Sequence, residues 1–182
     1  MRRALSALAL LHLAACASGL GGADYAPQYD FFEFWAATDG KTFRVETAGN
    51  PFPGMNEQEM RRRLLPVMQA NRPRPRLTFT YAAPAETPRP DYRLVLVFDA
   101  ANDLTAARVC ADQIRTRPEF SGKIAVFGVY CRNDSALSQA VATTTASAPE
   151  NPAMGRLLGQ LFQVLFVEAP PIDRPRFPRV PR

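Results

Sequence analysis

The residue pattern predicts an α+β fold, an antiparallel sheet of about five to seven strands packed against two or three helices. Three observations carry that reading. Short apolar runs come in pairs joined by turn residues, helical spacing is confined to a few segments, and the regular strand-helix alternation of a doubly wound parallel sheet is missing.

The fold is expected to begin near Tyr29. Phe31-Phe32-Glu33-Phe34-Trp35 reads as a strand, Asp39-Gly40 as a two-residue hairpin turn and Thr42 to Glu46 as the returning strand. The loop Gly49 to Gly54 then breaks the chain. Asn56, with Glu59 three residues later, has the spacing of a helix N-cap and its reciprocal partner. Met60, Leu64, Val67 and Met68 line one face of the helix that follows, while Glu57 with Arg61 and Glu59 with Arg63 stand four apart as ion pairs on another. Arg61-Arg62-Arg63 is read as a solvated face. Pro66 removes a backbone donor and clashes with the preceding turn, so a kink or an end is expected around Leu64 and Leu65.

Leu77 to Tyr81 alternates, Tyr92 to Phe98 is a second strand, and the proline-rich span Ala82 to Pro90 is expected to join them as a long hairpin. Lys123 to Cys131 is nearly all apolar, as in a central strand, with Gly128 marking a bulge or a close backbone contact. Asn133-Asp134 turns it into a further strand, Leu137 to Thr145, although Ala136 to Ala148 also fits a helix. Asn151-Pro152 has the form of an N-cap followed by proline at the first helical position, and Met154, Leu157, Leu158, Leu161, Phe162 and Leu165 repeat at helical spacing. No internal repeat is present.

Arg2 and Arg3 precede a short apolar stretch, Ala4 to Ala15, the charge and hydrophobic core of a secretion signal. The stretch is too short to span a bilayer, which needs about 20 apolar residues. Leu13-Ala14-Ala15-Cys16 resembles a bacterial lipobox. That resemblance implies removal of residues 1–15, lipidation of Cys16, anchoring to a membrane and, with Ala17 next, sorting to the periplasmic face of the outer membrane in a two-membrane cell. Ala15-Cys16-Ala17 also fits the small-x-small pattern of ordinary secretion, which would discard the cysteine. Residues 16–27 are then a lipidated N-terminus and flexible tether, with Ala17 to Ala26 reaching roughly 18 Å as a coil. Residues 28–169 form a single domain, and 170–182 a tail. The body resembles, in architecture only, small proteobacterial lipoproteins.

The chain has 22 basic and 17 acidic residues, and loss of Arg2 and Arg3 leaves 20 against 17. The tail carries Arg174, Arg176, Arg179 and Arg182 against Asp173, so it holds the surplus and the body is close to neutral. A basic face on the fold, as a nucleic-acid reader needs, is not expected. Five prolines keep the tail extended, and its arginines are either a solvated end or an arm for anionic lipid headgroups or envelope polymers. In an exported protein Cys110 and Cys131 can pair once Cys16 is acylated: Cys131 shares a strand face with Phe127 and Val129, and Cys110 lies on a helical pattern with Leu104, Ala107, Ala111 and Ile114. Two buried free thiols are the alternative.

The single histidine, His12, falls in the signal, so imidazole-dependent triads and zinc sites are not expected, and neither metal nor cofactor is. Carboxylate chemistry on envelope glycan remains a second reading. Glu33 is its foremost acid and Asp99, Asp103 or Asp134 possible partners, since a glycosidase needs two acids about 5–9.5 Å apart. The first reading is a non-enzymatic lipoprotein binding an envelope protein or anionic polymer; a third is a lipid- or solute-binding transporter accessory. Tyr25, Tyr29 and the aromatics of 31–35 are expected to serve the core, with membrane contact or sugar stacking as the functional alternative.

Overall fold

The apolar runs Tyr92–Phe98 and Ile124–Arg132 are buried at nearly every position, which requires cover on both faces of a sheet. A computed structural model, describing residues 19–83, 90–117 and 122–170, supplies that cover. The signal segment, Cys16 and the tail arginines Arg174, Arg176, Arg179 and Arg182 lie outside the described residues. In chain order the elements are β1 (Gly19–Leu20), β2 (Asp24–Tyr25), α1 (Phe31–Thr38), β3 (Thr42–Ala48), α2 (Glu57–Ala70), β4 (Thr78–Thr80), β5 (Tyr92–Phe98), α3 (Ala106–Cys110), β6 (Ile124–Arg132), β7 (Ser135–Thr144) and α4 (Pro152–Leu165).

The fold is α+β, but the sheet is mixed rather than antiparallel. Its order is β1-β7-β6-β5-β3-β4, with β2 also on β7. β3 pairs parallel with β4 on one side and β5 on the other, so the expected β4-β5 hairpin does not form. Parallel neighbours need a crossover of a dozen or more residues, and α2 with its flanking loops provides one between β3 and β4. The remaining pairs are antiparallel. Residues 136–148, which also fitted a helix, belong mostly to the strand β7.

Alternation along β5 divides the core. Leu94, Leu96 and Phe98 join Met60, Leu64 and Met68 of α2 and Leu157, Leu158 and Leu161 of α4 in the larger cluster. Val95 and Val97 face the other way, onto Leu104, Val109 and the disulfide of Cys110 with Cys131, whose Cα atoms are 5.6 Å apart. Gly128 lies under α4: a Cβ there would stand 2.9 Å from Leu165 Cδ1 and 3.0 Å from Leu161 Cδ2. The close contact is made by side chains, and the register shift of β6 falls instead between Tyr130 and Cys131.

Residues 31–35 are helical, not a strand. Asp30 caps α1, its side chain accepting from Phe32 N at 2.8 Å, and Gly40, at φ 68°, follows the C-cap Asp39, so Asp-Gly is a helix stop and not a hairpin turn. Phe34 is fully buried and stacks on Phe166 with centroids 4.3 Å apart. Burying it contributes about 2 kcal/mol, more than the few tenths per residue by which aromatics disfavour a helix.

Pro66 does not end α2, which continues to Ala70; the proline faces solvent, where water can meet the unpaired carbonyl. Asn56 caps α2 through Glu59 N at 2.8 Å, and Asn151 caps α4 with Pro152 following. Arg63 pairs with Glu150 on the loop before α4, while Glu59 takes Arg62 in place of the expected Arg63. The flexible tether is also corrected: Gly19–Leu20 and Asp24–Tyr25 are strands, opposite Thr143 and Ala142 and opposite Gln139 and Ser138, so the described fold begins at Gly19. Among the described residues no helix is long and apolar enough to cross a membrane.

The registers sort the molecule into two ends. The starts of β3, β4, β5 and β7 and the finish of β6 lie at one. Gly19, the start of β6 and the finish of β7 lie at the other.

Candidate functional site

The chain between α2 and β4 reads Asn71-Arg72-Pro73-Arg74-Pro75-Arg76. The chain bends at Arg74 and Pro75, whose peptide bond is cis. Arg72, Arg74 and Arg76 are all exposed while Pro75 and Leu77 are buried. The segment is fastened at both flanks: the Gln69 side chain donates to Leu77 O at 3.0 Å and accepts from Phe79 N at 2.9 Å, and Gly40 N donates to Arg76 O at 2.6 Å. Arg72 Nη1 donates to Gln69 O at 3.1 Å.

Asn71 closes α2 against α4. Its amide donates to Val67 O at 2.8 Å, and its side chain lies over Gly155 and Gly159, where a Cβ would come within 3.1 and 3.5 Å of it. These two glycines let the helices approach. The result is a groove of about 530 Å³ whose walls include Phe31, Arg72, Arg74, Gln163, Phe166 and Glu168. Phe31 continues its aromatic lining outward: the rings of Phe32 and Trp35 lie 6.2 and 5.9 Å away and are 73% and 40% exposed.

The charge in this groove is unspent. Several arginines elsewhere meet acids, as Arg61 meets Glu57, Arg62 meets Glu59, Arg63 meets Glu150 and Arg132 meets Glu33, whereas Arg76, Arg108 and Arg156 meet none among the described residues. Among the described residues Arg72 and Arg74 form no ion pair, and Glu168 is the one acid of the walls. The lining thus combines two cations, amides and flat apolar rings. That chemistry suits an anionic ligand, and Glu168 is the one side chain of the lining that could serve as a base or nucleophile.

The acids singled out in the sequence are engaged elsewhere. Arg132 Nη1 donates to both Glu33 oxygens at 3.0 Å, and the Tyr92 hydroxyl donates to the same carboxylate. Burial, then the bond to Glu33, pushes Tyr92 up to about 12. Asp99 is buried at φ 47°, accepting from Ala125 N at 3.3 Å with Arg117 at 3.8 Å, and Arg115 bonds to Asp103 and holds its carboxyl below the usual range. Asp134 accepts from Ser135 Oγ at 3.4 Å. Glu33 and Asp134 sit at one end of the sheet and Asp99 and Asp103 at the other. Among the described residues no three histidines, cysteines or acids gather as a metal would require. Of the early aromatics, Tyr25 and Tyr29 donate to Val164 O at 2.5 Å and Val167 O at 2.8 Å, fixing the end of α4.

The groove arginines escaped the sequence reading, although a signal was present: three arginines alternate with two prolines over 72–76. No protein-family profile matches the chain, and no curated protein matches it. The fold is similar to that of a PelC variant dodecamer from Paraburkholderia phytofirmans, at 9% identity and TM-score 0.40 over 81% of this chain and 96% of that one. A likeness of that degree decides nothing about function.

Proposed function

We propose that this protein is a lipid-anchored, non-enzymatic component of the bacterial cell envelope, held by Cys16 on the periplasmic face of the outer membrane and presenting its binding groove away from that membrane. The lipobox-like run Leu13-Ala14-Ala15-Cys16 carries the anchor, and the direction of the N-terminal edge carries the orientation of the groove. Ala17 and Ser18 alone separate Cys16 from β1, three residue steps that span at most about 11 Å. Gly19 is level with Thr143 and Ala125, whereas Arg132 beside α1 lies seven residues further along β6, about 23 Å away. The groove opens at that far end, between α1, the 72–76 loop and the finish of α4. Engagement of Glu33 by Arg132 and Tyr92 supports a structural task for the acid that a hydrolase reading needs most.

Labelling with a fatty-acid analogue tests the anchor. Label and membrane association are expected for the native chain and not for Cys16→Ser. Normal lipid incorporation by the variant overturns the reading.

A further inference from the structure

We infer that the groove at the 72–76 loop binds an acidic saccharide, with Arg72 and Arg74 taking its anionic groups, Asn71 and Gln163 its hydroxyls, and Phe31 the apolar face of a ring. This deepens the binding role proposed above and gives the groove a ligand class. Four observations converge on it. Two guanidiniums without acidic partners line one wall, and guanidinium is the side chain best matched to carboxylate or phosphate oxygens. Both are mounted on a backbone fastened by Gln69 and Gly40, so little ordering is lost on binding. At about 530 Å³ the groove falls within the range of small-ligand sites, about 300–1,000 Å³.

The fourth observation separates a saccharide from a simple anion. A phosphate or carboxylate alone needs the arginines but not the rings. Phe31 and Phe166 line the same groove, and Phe32 and Trp35 prolong the aromatic surface beyond it, so a chain of rings has somewhere to continue. An acidic protein segment would engage Arg72 and Arg74 without needing a ring against Phe31, which is the alternative that tetraglutamate represents below.

The test uses the full native lipoprotein in detergent, with its lipid verified by mass spectrometry, titrated with tetragalacturonate at physiological ionic strength. Binding is expected, and the Arg72→Gln/Arg74→Gln variant should bind about tenfold more weakly or worse, with an unchanged melting temperature because both side chains are exposed. Maltotetraose, which lacks the charge, and tetraglutamate, which lacks the rings, should each bind about tenfold more weakly than tetragalacturonate. Phe31→Leu, which keeps apolar volume, should weaken the saccharide and leave tetraglutamate unchanged. Failure of the native protein to bind, equal binding by the double variant, or tetraglutamate matching tetragalacturonate overturns the inference. Absence of lipid from the purified chain overturns the anchor alone, so the two failures are told apart.

Discussion

Glu33 of α1 and Arg132 at the end of β6 are joined at 3.0 Å through both carboxylate oxygens, although 99 residues separate them. Tyr92, at the start of β5, donates to the same carboxylate. One acid therefore fixes the first helix to the end of the sheet where the groove opens.

Alkali should loosen this junction. Folded Tyr92 keeps its proton to about pH 12, while an unfolded tyrosine releases it near 10. Unfolding thus sheds a proton in that window, and the stabilisation, complete below about pH 10, is lost as the pH rises through about 12. Tyr81, pushed up to about 12 by burial, adds to the decline. Tyr92→Phe should cost about 1 kcal/mol at pH 7 and give a shallower fall above pH 10. Denaturant titrations at pH 7, 9, 10 and 11 check it; the same slope for both proteins would refute the linkage.

The Cys110 to Cys131 bond closes a sequence separation of 21 residues and holds α3 against β6. Replacing both cysteines by alanine should cost about 3 kcal/mol. Binding at the groove should survive, because the disulfide lies on the opposite face of the sheet. Non-reducing peptide mapping gives a direct check, and free alkylation of both thiols in unfolded, unreduced protein would count against the staple.

Gly128→Val should destabilise by about 1–3 kcal/mol, since the new side chain meets Leu161 and Leu165 where a Cβ alone is already too close. Combined with Leu161→Ala, itself costing about 2–5 kcal/mol, the loss should be smaller than the sum. Simple additivity in urea melts would mean that α4 yields without resistance.

Deleting Asp173 to Arg182 should leave the melting temperature unchanged and lower adhesion to anionic polymers. The described chain ends at Pro170, two residues beyond Glu168 in the groove wall. The effect should fade with salt, whose screening length is about 8 Å at physiological strength. A large fall in melting temperature would move the domain boundary into the tail.

Elements with one dominant signal were legible. Asn56 and Asn151 announced α2 and α4, and the unbroken apolar character of 124–131 announced a central strand. Residues 31–35 were not, because aromatics at four of five positions show neither a period of two nor of 3.6; Asp30 as N-cap and Gly40 as stop held the information instead. The parallel placement of β3 between β4 and β5 was hidden because pairing partners are chosen by the packing of α2 and α4, which short strand patterns do not encode. The groove was illegible for a related reason: Phe31, Arg72 and Gln163 are remote in sequence, and only the tertiary fold makes them neighbours.

β7 receives both N-terminal strands, with Gly19 opposite Thr143 and Asp24 opposite Gln139. The segment synthesised first therefore waits for a partner made late, and its place in the sheet is filled only after the long intervening loop has closed. A chain arrested before Ser135 keeps its first strands unpaired and one edge of β6 bare, open to the strands of other chains. Arrival of β7 is thus the step that ends the period of greatest exposure to misassembly, and slowing it should raise aggregation without altering any contact of the finished fold.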